Sequence, residues 1–168
     1  MFGGALADAV RAAKFRPDVV IAEQLAKWWG ARIAARECPA LDDVVVCGVD
    51  AVAFVPAPWR RRIVRGFDLP AILAQAVSRA IERPVVDALA CTRNDAPLSH
   101  GADKAARAVL VQGRYRVRSS FLKALAARPV RVLLIDDVRT TGATLAEAQR
   151  ALEQAGARVH SAALAIAP

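Results

Sequence analysis

Two neighbouring carboxylates, Asp136 and Asp137, stand at the end of an apolar run and are followed within eight residues by Thr140, Thr141, Gly142, Ala143 and Thr144. A hydroxyl-rich loop that opens a helix suits a phosphate, because the first N–H groups of a helix lack intrahelical partners and sit at the positive end of its dipole. Gly142 lets the backbone come close. The acids call for the opposite kind of partner, hydroxyl donors or a cation. Successive residues of a strand point to opposite sides, so each acid is expected to have its own task. A ligand carrying a phosphate at one end and two vicinal hydroxyls a few ångströms away is a ribose 5-phosphate.

The second reactive cluster is basic. Asp50 to Val55 reads as a buried strand that runs into Pro56, Ala57, Pro58 and Trp59 and then releases Arg60, Arg61, Arg62 and Arg65. In open α/β sheets ligands sit outside the carboxyl ends of the strands, which places this positive charge where a second anion can be held. Arg60 and Arg65 are candidate donors to it. A solvated basic loop is the alternative.

The elements that position these clusters follow from periodicity. Val130, Val132, Leu133, Leu134 and Ile135 form a nearly continuous apolar run, expected of a parallel strand buried on both faces and ending at the acids. The helix after the threonine loop runs through Gln154, with Leu145, Ala148, Leu152 and Ala155 as its inward stripe. Gly156 stops it, and Ala157 to Ile166 is a final strand. Upstream, residues 4–15 read as a helix, and a longer one starts after Asp18 and runs towards Arg36. Trp28 and Trp29 on it are core anchors or the wall of a base pocket. Phe67 to Glu82 is a helix, Pro84 to Leu89 a strand, Asn94 to Asp103 a polar loop containing His100, and Gly113 to Ser119 a strand with one wet face. Ser119 or Ser120 is the expected cap of a short helix reaching Ala127.

Composition bounds the function. The chain has 168 residues, enough for a sizeable core, and reads as one domain, with residues 1–40 a helical N-terminal part and 50–168 the core. The formal charge of +8 asks for an anionic partner: a pyrophosphate, a nucleic acid or simply solvent. Val44 to Trp59 is the nearest approach to a hydrophobic span, and Asp50, Pro56 and Pro58 break it, so no membrane partner is expected. The first 15 residues lack the order of a secretory signal, which implies a cytoplasmic protein. Cys38, Cys47 and Cys91 are too few and too scattered for a zinc site or disulfide framework. An apolar strand ending in Asp-Asp also occurs at the Walker B edge of ATPases, but no G-x-x-x-x-G-K-[ST] loop accompanies it here.

The stretch IDDVRTTGATL resembles the ribose-phosphate signature of type I phosphoribosyltransferases, and VPAPWRRRIVRGFDLPAILAQAV resembles the ComF family, competence-linked proteins with a phosphoribosyltransferase domain. The opening ALADAVRAAKF is similar to that family's first helix, so the resemblance covers nearly the whole chain. It implies an α/β fold, doubly wound, with a mainly parallel sheet, helices on both faces and an N-terminal helical hood. It also implies a ligand, phosphoribosyl pyrophosphate (PRPP), with Mg²⁺ held mainly by substrate and water. By this resemblance Asp136 and Asp137 hold the ribose hydroxyls, and Thr140, Thr141, Gly142, Ala143 and Thr144 cradle the 5-phosphate. Ala57, Pro58, Trp59, Arg60 and Arg65 face the pyrophosphate. Arg93, joined by Lys104 and Arg107, is delivered to the leaving group by a lid over residues 94–103, and counts with the two acids as catalytic. Single-stranded DNA and a second copy of the chain are further partners that the resemblance admits. The sequence departs from the family in four places: the four-cysteine zinc module is missing, RGFNQ is replaced by RGFDLP with Asp68 and Leu69 differing, the usual glutamine and asparagine around the lid are absent with Leu110 at the asparagine position, and Thr140 stands where 6-oxopurine salvage enzymes carry an aspartate base.

Overall fold

The computed structural model describes residues 9, 10, 12, 13, 18–39, 41, 48–92, 113–139 and 141–166. Its elements are α1 (Val19–Ala34), β1 (Ala51–Phe54), α2 (Trp59–Arg65), α3 (Leu69–Ile81), β2 (Val85–Val86), β3 (Leu89–Cys91), β4 (Tyr115–Val117), α4 (Ser119–Ala127), β5 (Arg131–Arg139), α5 (Ala143–Gln154) and β6 (Arg158–Ile166). Four strands form a parallel sheet in the order β2-β1-β5-β6, and β3 pairs antiparallel with β4 in a separate ribbon.

The apolar run of β5 explains the layering. Val132, Leu133, Leu134 and Ile135 are all fully buried, and alternate residues go to opposite faces. Leu133 and Ile135 join Val52 under α1 and α3, where Leu25, Trp29, Ile33, Leu69, Leu73 and Val77 close one core. Val132 and Leu134 join Ala53 and Val55 under α5, α4 and the ribbon, with Leu145, Leu152, Phe121, Leu89 and Tyr115 closing the other. Helices thus cover both faces of a parallel sheet, as the sequence leads one to expect.

Helix α1 starts where the sequence places it. Asp18 caps it, accepting hydrogen bonds from Val20 N at 2.9 Å and Ile21 N at 3.3 Å. It lies close against α3 because Gly30 has no side chain: a Cβ there meets Ala76 O at 3.2 Å and Ala76 Cβ at 3.3 Å. Of the two tryptophans, Trp29 is core, whereas Trp28 is half exposed and stacks under Arg32 at 5.3 Å. Cys38 packs on one core and Cys91 on the other, as small apolar residues do. Cys47 lies outside the described residues.

Several elements differ from the expectation. The strand of the acids does not stop at Ile135; hydrogen-bonded register with β6 continues from Arg131↔Arg158 to Arg139↔Ile166, so Asp136 and Asp137 lie within β5. The arginine-rich stretch is helical, not a loop. Arginine is a good helix former, and Gly66, at φ 75°, ends the helix with its N–H on Arg62 O at 2.8 Å. The single strand expected over Pro84 to Leu89 is two short strands in different sheets. Arg118 draws the chain out of the parallel sheet between them: its Nε reaches Asp87 at 3.0 Å and Leu89 O at 3.2 Å, while its N–H donates to Ala88 O at 2.9 Å. Neither Ser119 nor Ser120 caps α4. Both belong to the helix, and Arg118 occupies the cap position with its carbonyl receiving Phe121 N at 3.0 Å.

Candidate functional site

The winding of the sheet decides where a ligand can sit. From β1 the chain crosses to β2 on one side, and from β5 to β6 on the other, so β1 and β5 are neighbours at the point where the order reverses. Val55 N donates to Ile135 O at 2.9 Å. One residue further, the chain turns away from β1 at Pro56 to Pro58, while β5 continues beside it into Asp136. The two clusters read from the sequence, 80 residues apart, therefore meet at the carboxyl end of adjacent strands.

Both acids are buried: Asp136 is 6% exposed and Asp137 8%. Asp136 Oδ1 accepts the N–H of Asp137 at 2.8 Å, which fixes its carboxyl group. The pair divides between the faces, as alternation requires. Ile135 packs in the α1–α3 core, so alternation turns Asp136 to the opposite face and Asp137 back towards α3; the charge of Asp137 acts on Arg65 and Asp68, and those of Asp136 and Asp68 both act on Tyr115. Burial pulls the Arg65 guanidinium below the usual arginine range, with Asp137 opposing the shift. Burial likewise pushes the Tyr115 hydroxyl up, Cys91 and Asp136 adding to it.

At the start of α5, Gly142 is left-handed at φ 78° in the cap position, and its carbonyl receives Ala146 N at 2.8 Å. A Cβ there has room, 3.6 Å from Arg139, so it is the backbone angle that asks for glycine. Thr141 Oγ1 accepts the N–H of Ala143 at 3.4 Å, and Ala143 and Thr144 are the first two residues of α5, both half-buried. Thr140 lies outside the described residues, as do Arg93, His100, Lys104 and Arg107, and the expected lid over 94–103 falls there too.

Of the expected pyrophosphate residues, Ala57 and Pro58 lie on the turn after β1, Trp59 and Arg60 begin α2 and are exposed, and Arg65 closes α2 half-buried on the Asp137 side. Arg60 stacks on Trp59 at 5.5 Å. The structure therefore gathers Ala57, Arg65 and Asp137 around one point and leaves Arg60 on the outer surface.

At that point stands a residue the sequence reading noted only as a departure from a family pattern. Asp68 is 8% exposed. It holds the N-terminal cap position of α3 without capping it; instead Oδ2 accepts Ala57 N at 3.2 Å and pairs with Arg62 Nε at 3.7 Å. Burial pushes this carboxyl up to about 6, against the Ala57 N–H and the Arg62 charge. Asp-x-Pro at a helix start reads as an ordinary cap. No sequence signal separates that from a carboxylate turned back onto the preceding turn.

The raised value has a consequence for stability. Between about 4, where a free aspartate titrates, and about 6, the folded chain holds a proton that the unfolded chain has released, so Asp68 makes the protein less stable as pH rises through that window. Asp68→Asn is expected to be more stable than the native chain at pH 7 by roughly 1–3 kcal/mol, and equally stable near pH 4. Urea denaturation of both at pH 4, 5, 6 and 7 checks this. A constant difference across the series contradicts it.

A fourth buried carboxylate has a structural task. Glu147 on α5 accepts Gly113 N at 2.6 Å and pairs with Arg150 Nη2 at 2.7 Å; Arg150 and then the Gly113 N–H hold its carboxyl below the usual range. Thr92 Oγ1 donates to Gly113 O and Arg114 O. The chain entering β4 is thus tied to α5.

For a divalent cation, the donors at this edge have suitable oxygen chemistry, but the two carboxylates serve different faces. Among the described residues no three of His, Cys, Asp and Glu gather into a metal cluster.

No family model matches the chain, and no curated protein matches it in sequence. Solved structures do match in fold. Glutamine phosphoribosylpyrophosphate (PRPP) amidotransferase from B. subtilis, complexed with ADP and GMP, aligns with a TM-score of 0.53 at 20% identity over 84% of this chain. The chain shares its fold with part of that amidotransferase. A structure described as the allosteric regulatory enzyme of purine biosynthesis aligns with a TM-score of 0.51 at 20% identity over 85% of this chain. This chain spans about a quarter of each of those, 26% and 25%. The likeness establishes the mixed α/β fold with its parallel sheet and flanking helices. Among the described residues no helix is long and apolar enough to cross a membrane.

Proposed function

We propose that the chain binds PRPP across the carboxyl edge of β1 and β5 and transfers its phosphoribosyl group, with Mg²⁺, to an acceptor. The observation that carries this reading is the pairing of β1 with β5, which brings the Pro56 to Pro58 turn beside the acids at one edge of the sheet. The fold shared with a PRPP amidotransferase supports it. In this reading Asp136 and Asp137 take the ribose hydroxyls, and Thr140, Thr141, Gly142, Ala143 and Thr144 take the 5-phosphate. Ala57, Pro58, Trp59, Arg60 and Arg65 face the pyrophosphate, and Arg93 assists its departure.

Breaking the bond from C1 to pyrophosphate leaves positive charge growing on the ring and negative charge on the leaving group. Asp136 and Asp137 fix the sugar and tolerate the first; Arg65 neutralises the second. Mg²⁺, when bound with the substrate, supplies further neutralisation of the pyrophosphate. The ComF-type assignment, a cytoplasmic location and a homodimer belong to the same proposal. Release of pyrophosphate from PRPP, measured with a panel of bases and amines, tests it. Turnover with any acceptor, lost in Asp137→Asn, upholds it, and saturable PRPP binding without turnover reduces the protein to a PRPP-sensing module.

A second reading rests on α2, which turns Arg60, Arg61 and Arg62 outward beside the half-exposed Trp59. Exposed arginines beside an aromatic ring support a reading in which α2 binds single-stranded DNA, as a competence accessory protein requires. Its binding must weaken steeply with salt, and affinity unchanged across a salt titration removes it.

A further inference from the structure

Asp68 holds an arginine that an anion would use. Its carboxylate turns away from α3, whose cap position it occupies; Oδ2 accepts the N–H of Ala57 at 3.2 Å and pairs with Arg62 Nε at 3.7 Å. Ala57 lies on the turn after β1, and Arg62, half exposed on α2, is brought beside it by this shared oxygen. An arginine next to a turn at the carboxyl edge of a parallel sheet is placed to meet a phosphoryl oxygen. Here a carboxylate of the chain itself has met it first.

The arrangement works against the fold. Helix α3 goes without a side-chain cap. Oδ1 is buried with no hydrogen-bond partner among the described residues, which is costly for a carboxylate. Burial pushes the carboxyl up to about 6, against the Ala57 N–H and the Arg62 charge. Holding the Ala57 N–H does not require this, because the neutral oxygen of an asparagine accepts it as well. What the charge alone accomplishes is the pairing with Arg62. The other charged groups that Asp68 faces are Arg65 on α2 and Asp137 on β5, and its own charge reaches Tyr115 on β4. Among the described residues Arg62 is the cation that pairs with it.

We propose that Asp68 is an internal competitor of the anionic ligand: its carboxylate keeps Arg62 from a pyrophosphate group at the turn after β1 and so limits the affinity of the chain for PRPP. This rests on the reading that the pyrophosphate faces that turn. Above about 6 the ionised carboxylate holds Arg62; below it the added proton ends the ion pair, and Arg62 is released to the ligand.

Calorimetric titration of the native chain and Asp68→Asn with PRPP and Mg²⁺, side by side at pH 8 and pH 5, is the test. Asparagine keeps an acceptor for the Ala57 N–H and loses the charge. At pH 8 the variant is expected to bind PRPP about 10- to 100-fold more tightly, the worth of one hydrogen bond between charged groups. At pH 5, where the native carboxyl is also neutral, the two are expected to agree within about twofold. The ionisation of PRPP itself is common to both chains, so the ratio of their affinities isolates Asp68. Arg62→Gln placed in the Asp68→Asn chain is expected to remove most of the gain, and Asp68→Ser, a second uncharged variant, to act in the same direction as Asp68→Asn. Equal affinity of the native chain and both uncharged variants at pH 8, a ratio unchanged between pH 8 and pH 5, or a gain that survives the loss of Arg62 overturns the proposal and leaves the ribose-phosphate reading in place. PRPP bound by none of the chains at either pH removes that reading and this one with it.

Discussion

Leu134→Ala is expected to destabilise the protein by about 2–5 kcal/mol. Leu134 is fully buried in the middle of β5, paired with Ala53 on one side and Ser161 on the other, and its side chain lies among Leu145, Leu152, Val132 and Phe121. Strands β1 and β6 fix its backbone from both sides, so the chain cannot collapse to fill the space, and the cost includes the cavity as well as the lost transfer energy. Domains of this size hold roughly 5–15 kcal/mol in all. A shift of the urea midpoint without change in slope measures it. Val19→Ala, at a position 45% exposed, is the comparison and is expected to change stability by about 0.5 kcal/mol or less. A loss under about 1 kcal/mol for Leu134→Ala contradicts the placing of β5 at the centre of both cores.

Asp137→Asn is expected to weaken PRPP by about 10- to 100-fold while leaving the fold intact. The carboxylate stands within the electrostatic reach of Arg65 and Asp68 at the carboxyl edge of β1 and β5, where a ribose hydroxyl meets it in the proposed complex. A hydrogen bond to a charged acceptor contributes about 1.5–3 kcal/mol, and asparagine offers only a neutral one. Asp136→Asn is expected to act in the same direction. Its amide oxygen can still accept the Asp137 N–H, so the local backbone keeps its partner. Isothermal titration with PRPP and Mg²⁺ measures both. Affinity unchanged in both variants contradicts the assignment of the hydroxyls to these residues.

What was legible in the sequence is what local chemistry determines. Asp18 announces the start of α1 because a cap needs only its own helix. The apolar run of β5 and the stripe of α5 announce a doubly buried strand and its crossover, since burial on two faces leaves no polar position to alternate. The arginines were placed at the right edge but in the wrong conformation: seven residues with none buried carry no apolar period to reveal a helix. The length of β5 was underestimated because its last residues, two acids, valine and arginine, are held by pairing to β6, a contact remote in sequence. The break between β2 and β3 depends on Arg118, about 30 residues downstream.

The candidate site shows the same division. The acids, the threonine loop and the proline turn were visible as residue types, and only the sheet order brings the acids beside the proline turn. Asp68 was invisible as a site residue, because its importance comes from turning away from its own helix to reach Ala57 and Arg62. Its neighbours were in plain view, but the unpaired oxygen is a property of the packing.

Thermal denaturation of the native chain with PRPP and Mg²⁺ addresses the central claim without knowledge of the acceptor. At a hundredfold excess over Kd, PRPP is expected to stabilise the protein by about 2.7 kcal/mol, and the same concentration is expected to raise the midpoint of Asp136→Asn and Asp137→Asn far less. A midpoint that PRPP leaves unmoved in the native chain, or moves equally in all three proteins, contradicts a ribose phosphate docked between β1 and β5.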